Sequence, residues 1–522
     1  MQLLRWSSLS DKENHQSSCS DSLEIMRRTC IRNPISLKPL CTLFSDFGNA
    51  LGNDSVGWSI LIIAVPAALA LAADPVASLV DTAFIGQLGA VDLAAVGVAI
   101  AVINQASKIA IFPLVSVTTS LVAEEEASDD SNDNSLQESL VEFGTQKQDT
   151  NQLFELPERN QRRHFPSATS ALVVACVLGL IQALFLVSSA QFVLNYMGIS
   201  SNSPMLMPAQ RYLVLRSLGS PAVLLSLAMQ GVFRGIRDTK TPLYATIVGD
   251  VANVALDPIF IFGFRFGVSG AAAAHVISQQ RPISRYVIVI ILLWKLNEHV
   301  DLLPRSIWDL QFRRFLGNGS LLLMRVIAAT CCVTMSASLA AQHGSTSMAA
   351  FQICLQIWLA SSLIADGLGI AGQTMLASAF TRQDYGQARA VASSVLQLAM
   401  VLGLGLCGIL LIGLRVACGL FTNDASVLEL VGVGIPFVAA TQPINVLAFV
   451  IDGVSYGASD YAYSAYSMVA VALVSVICLV VLSSAYGFVG IWISLTVFMS
   501  LRAVAGLFRI GTGMGPWNFL RN

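Results

Sequence analysis

Asp250, Asn253 and Asp257 stand at i, i+3 and i+7, which puts two carboxylates and an amide on one face of a helix. Asp74 and Asp81 are two helical turns apart and share a face in the same way. Each group lies in a stretch apolar enough to cross a bilayer. A charge there costs at least a few kcal/mol unless it has a partner or a task. Burial disfavours the ionised form of a carboxylate, so acids gathered inside a bundle could load and unload a proton or hold Na⁺. The bland alternative is that each acid pairs with a buried basic or backbone group. Lys108, Arg216 and His275 are further intramembrane candidates in the first half of the chain, and Arg325, Asp366 and Asp452 in the second.

The elements that must position these groups are membrane helices. Of 522 residues, 55% are apolar and only 12% charged, with mean hydropathy +0.67. A typical soluble domain carries roughly a quarter charged residues, so a water-soluble core is excluded. A net charge of −2 gives no reason to expect a nucleic-acid partner. Seven of the ten cysteines fall in apolar runs and none forms a C-x-x-C pair, so they read as small core residues. The five histidines show no H-E-x-x-H pattern. No metal and no cofactor are expected.

Apolar stretches of spanning length follow one another from Ser59 onward. They read as twelve helices, at 59–85, 92–122, 167–195, 209–233, 241–264, 268–294, 316–340, 346–377, 388–417, 427–451, 461–484 and 488–510. Arg162, Arg163, Arg234, Arg237, Arg313, Arg314, Arg382 and Arg389 all fall in connections on one side, and the other side offers little beyond Arg265. The positive-inside rule makes that basic side, with both termini, cytosolic. Residues 1–57 are polar and Ser-rich and read as a disordered cytosolic tail, with a plastid transit peptide as the alternative. The connection 123–166 opens on Glu124-Glu125-Glu126 and reads as a disordered cytosolic loop whose charges are solvated.

The halves repeat. Gly89-x-x-x-Leu93-Ala94-Ala95 recurs as Gly344-x-x-x-Met348-Ala349-Ala350. Gly231-Val232-x-x-Gly235-x-x-Asp238 recurs as Gly453-Val454-x-x-Gly457-x-x-Asp460, and Gly267-x-x-Gly270 as Gly487-x-x-Gly490. Repeats at matching positions predict an all-α integral membrane protein of two pseudo-symmetric six-helix bundles, an N-lobe over 58–300 and a C-lobe over 301–522. Carriers with a central, alternately exposed site are commonly built so.

Asp81-Thr82-Ala83-Phe84-Ile85-Gly86-x-Leu88-Gly89, the repeated loop motif and Asn253-x-x-x-Asp257-Pro258 resemble the multidrug and toxic compound extrusion (MATE) family across roughly 58–515. Ile111-Phe112-Pro113-Leu114-Val115-Ser116, Met348-Ala349-Ala350-Phe351-Gln352-Ile353-Cys354-Leu355-Gln356 and Gly513-x-Gly515-Pro516-Trp517 are similar to its citrate-exporting plant branch. The resemblance implies a cation-coupled carrier, with H⁺ or Na⁺ as coupling ion and Asp81, Asn253 and Asp257 as the cation site. The substrate, a small organic anion such as citrate, would enter a cleft between the lobes. Lys108, Arg325, Gln352, Gln356 and Asp366 are the cleft candidates, the cations and amides because they suit carboxylate acceptors. Gln352 and Gln356 share a helical face and could equally be interhelical polar glue.

The expected setting is the lipid bilayer of the plasma membrane, with the plastid envelope as alternative, and the carrier is expected to act as a monomer. Export of xenobiotics or cationic and phenolic metabolites is the second functional reading. A membrane-embedded enzyme is a remote third, because the two-fold repetition is better explained by transport. The stretch Gln279-Gln280-Arg281-Pro282-Ile283-Ser284-Arg285 departs from the family pattern and reads as an insertion in span six.

Overall fold

The computed structural model describes residues 55–86, 90–145, 165–197, 205–258, 311–417 and 425–521, with isolated positions between them. The N-terminal tail, the 280–285 stretch and nearly all of expected span six lie outside the described residues. The helices are α1 (Ser55–Gly86), α2 (Ala90–Thr145), α3 (Pro166–Tyr196), α4 (Leu206–Ser217), α5 (Ser220–Gly235) and α6 (Lys240–Pro258). In the second half come α7 (Phe312–Gln342), α8 (Ser345–Thr381), α9 (Tyr385–Ala417), α10 (Ala425–Ala440), α11 (Gln442–Gly457) and α12 (Tyr461–Gly511). A 3₁₀ turn, Gly515–Arg521, follows.

Among the described residues, seven helices are long and apolar enough to cross a bilayer, or nine if each bent pair is one span. The bent pairs are α4 with α5, at 47°, and α10 with α11, at 50°. Each was expected as one straight span. Pro221 and Pro443 sit in the first turn of the second member, where proline is tolerated but cannot continue the helix before it. Helix α12 is 51 residues long, more than twice what a bilayer needs. It breaks at Gly487, whose φ of 56° and ψ of −130° a side chain would resist, and so supplies the last two spans.

The glycines of the repeated Gly-Val-x-x-Gly motif turn out to be contact points. A Cβ on Gly453 would lie 2.2 Å from the carbonyl oxygen of Gly369 on α8, and one on Gly457 2.6 Å from that of Gln373. In the first half, a Cβ on Gly231 or Gly235 of α5 would lie 2.7–3.2 Å from atoms of Val115, Thr118, Thr119 and Val122 of α2. Gly179 and Gly403 form a second matched pair, since a Cβ on either would run into the backbone of Pro221 or Pro443. Small residues let helix backbones approach in lipid, where packing rather than hydrophobicity drives association. The motif ends alike too: Arg237 and Ser459 carry left-handed φ of 62° and 53°, and Asp238 and Asp460 close the turn by backbone bonds to Phe233 and Ser455. We expect Gly453→Ala to lower the thermal unfolding temperature of detergent-solubilised protein, at a cost of about 1–3 kcal/mol, because the clash is with backbone. Unchanged melting would remove this role for the motif.

The stretch 123–166 differs from expectation. Helix α2 runs on to Thr145, so the first half of the supposed disordered loop is helical. Its acids are anchored rather than merely solvated. Glu125 accepts hydrogen bonds from the Ser167 amide at 3.2 Å, the Ser167 hydroxyl at 2.7 Å and Gln311 Nε2 at 3.1 Å.

Candidate functional site

In the second half, three helices bring buried charges together. Asp452 on α11 is held between Arg325 of α7 and Arg502 of α12. Arg502 Nε donates to Asp452 Oδ2 at 3.1 Å. Arg325 Nη1 donates to both the carbonyl oxygen and the hydroxyl of Ser464, each at 2.8 Å. The guanidinium carbons lie 5.7 Å from the Tyr456 ring centre for Arg325 and 4.3 Å from that of Phe449 for Arg502. Arg325 is 5% exposed and Asp452 7%, so the group is enclosed by protein. Such burial is sustained only when the charges are paired and hydrogen-bonded.

A cavity of about 20 Å³ opens beside this group, lined in part by Arg325, Asp452, Ser455, Tyr463, Ser464 and Arg502. That is room for about one water. Two guanidinium groups against one carboxylate leave its charged lining cationic. Asp366 of α8 lies within electrostatic range of Arg502, Asp452 and Arg234. Arg325 therefore pairs with Asp452, not with Asp366.

The other sequence candidates are placed less closely. Gln352 and Gln356 are exposed on the first half of α8. Lys108 lies on α2, Asp81 on α1, and Asn253 and Asp257 on α6, but their side chains are outside the described residues. Asp250 of α6 is buried, at 8% exposure. Arg502 was missed, although an arginine inside an apolar span carries the same signal that drew attention to Arg325. Ser464 carries no such signal, since a hydroxyl satisfies itself within its own helix.

The MatE family profile matches residues 156–259 and 322–482. Protein DETOXIFICATION 42 of Arabidopsis thaliana is 57% identical over 507 residues, covering 93% of this chain and 97% of that protein. The chain belongs to the MATE family. Among other MATE relatives, Protein DETOXIFICATION 43 of the same plant is 51% identical, covering 94% of this chain and 97% of its own. Protein DETOXIFICATION 44, chloroplastic, also from Arabidopsis thaliana, is 45% identical and covers 90% and 85%. A crystal structure of MATE in the bent conformation superposes with a TM-score of 0.74 at 18% identity, covering 90% of this chain and 98% of that one. A MOP superfamily transporter from Pyrococcus furiosus matches at TM-score 0.73 and 19% identity, covering 91% and 98%. The MATE fold implied by the resemblance is thus established, and the protein is a multi-pass membrane transporter rather than an enzyme.

Proposed function

We propose that this MATE-type secondary transporter exports small organic anions, citrate first, coupled to a cation gradient with H⁺ as the ion. The observation that supports an anion is the Arg325–Asp452–Arg502 group, whose cavity lining carries two guanidinium groups and one carboxylate. A substrate carboxylate entering there would exchange with Asp452 for a bidentate guanidinium partner. The cavity must widen for this, as alternating access requires. Citrate carries roughly three negative charges near neutral pH, and each is worth about 2.3 kcal/mol per 100 mV. Outward movement from a negative interior is thus downhill by several kcal/mol, so the protein need mainly offer cationic contacts.

Asp81, Asn253 and Asp257 take the coupling cation in this proposal, and Lys108, Gln352, Gln356 and Asp366 contribute to the substrate path. The plasma membrane is the proposed location; the chloroplastic naming of one relative makes the plastid envelope the second reading. Labelled citrate loaded into oocytes expressing the full chain should leave faster than from control cells, while a cationic dye should not. Dye efflux without citrate efflux would replace this reading with export of cationic xenobiotics.

A further inference from the structure

The hydrogen bonds that join the two halves gather at the basic end of the bundle. Gln373 Nε2 of α8 donates to the Ser116 carbonyl and the Ser120 hydroxyl of α2, each at 2.7 Å, and Ser120 in turn donates to the Tyr456 carbonyl at 3.1 Å. Arg237 Nη2 reaches the Ser378 hydroxyl at 2.6 Å. Beyond these, where α2 runs past the span expected at 92–122, its acids meet the opposite half. Glu124 pairs with Arg314 and accepts from the Ser459 hydroxyl at 2.5 Å. Asp130 pairs with Arg382 at 2.7 Å. Glu125 ties the start of α3 to Gln311, just ahead of α7.

Buried apolar and amide contacts already close the halves below them. What the charged layer adds is reach. Glu124 and Asp130 each span the line between halves on a single helix, and their partners come from two separate places in the second half, Arg314 in the first turn of α7 and Arg382 just past the end of α8. Any rocking that parts the halves at this end must break both pairs together.

We propose that Glu124 and Asp130, on the extension of α2, are a two-point electrostatic latch that holds the halves shut at the basic end and sets how readily the carrier opens there. This rests on the alternating-access reading but not on the identity of the substrate. The pairs are partly solvated, with side-chain exposures of 50% and 16% for Arg314 and Glu124 and 34% and 30% for Arg382 and Asp130. Each should therefore shift the opening equilibrium by about two- to fivefold, and salt should weaken both.

Amide hydrogen exchange on the full chain in lipid nanodiscs tests this without any substrate. Glu124→Arg and Arg314→Glu should each raise exchange about two- to fivefold in the peptide covering 369–378 of α8, which carries neither changed side chain. The double swap Glu124→Arg/Arg314→Glu should bring exchange back, and Asp130→Arg with Arg382→Asp should behave alike. Raising the salt concentration should mimic the single reversals in the wild-type protein and add little to them. Unchanged exchange in the single reversals, or a swap no better protected than they are, overturns the latch. Absence of citrate efflux leaves this measurement untouched, so the two proposals fail separately.

Discussion

An Asp452→Ala protein is expected to lose most of its folded population, while Arg325→Ala stays in the membrane and loses citrate efflux. The asymmetry follows from who is left with whom. Without Asp452, Arg325 and Arg502 remain enclosed with no carboxylate between them. Stranding buried charge in this way costs about 3–5 kcal/mol, a large part of a typical stability. Without Arg325, Asp452 still accepts from Arg502 at 3.1 Å, while its other carboxylate oxygen and the Ser464 oxygens lose a donor. That loss is worth about 1–3 kcal/mol. Arg325→Lys should recover surface abundance more than efflux, because an ammonium cannot offer the two parallel bonds of a guanidinium. Surface biotinylation alongside citrate efflux separates the outcomes. If Arg325→Ala disappears from the membrane as fully as Asp452→Ala, its role is structural. Full efflux by well-expressed Arg325→Ala protein would refute the substrate assignment.

Asp257→Asn and Asp81→Asn should insert and express normally yet lose cation-coupled transport. An amide keeps the shape and much of the hydrogen bonding of a carboxylate, but it neither titrates nor carries charge. Efflux should then no longer rise with an imposed proton gradient. Asn253→Asp, which adds a charge to the same helical face, should alter the dependence rather than abolish it. The measurement is efflux at several external pH values in oocytes with matched surface protein. A pH dependence like the wild type's in both Asp→Asn proteins would exclude the carboxylates from coupling.

Much of this protein was determined by local chemistry. Apolar runs with few charges have one stable fate in a bilayer, because backbone groups there must be satisfied within the segment. The helices and their rough limits therefore followed from composition. The recurrence of Gly231-Val232-x-x-Gly235 as Gly453-Val454-x-x-Gly457 disclosed two like bundles, since a close helix crossing needs small residues at a fixed spacing. The charged residues inside spans drew attention to Arg325 and Asp452 for the reason that burying them is costly.

What the sequence left open were pairings between segments far apart in the chain. Nothing in the run around Arg325 says that its carboxylate is Asp452 rather than Asp366; that depends on how α7, α11 and α12 rotate against one another. The bends at Pro221 and Pro443 were visible as prolines but not as angles, because α4 and α10 are apolar enough to read on without a break. The acidic run at Glu124 showed the limit most clearly. By composition it belongs in water, and it was read as a disordered loop. The arrival of Gln311, Arg314, Arg382 and Ser459 from the other half, with Ser167 of α3, gives those carboxylates partners. Helix existence is decided by each residue's own transfer energy, whereas ion-pair partnership is decided by the geometry of the whole bundle.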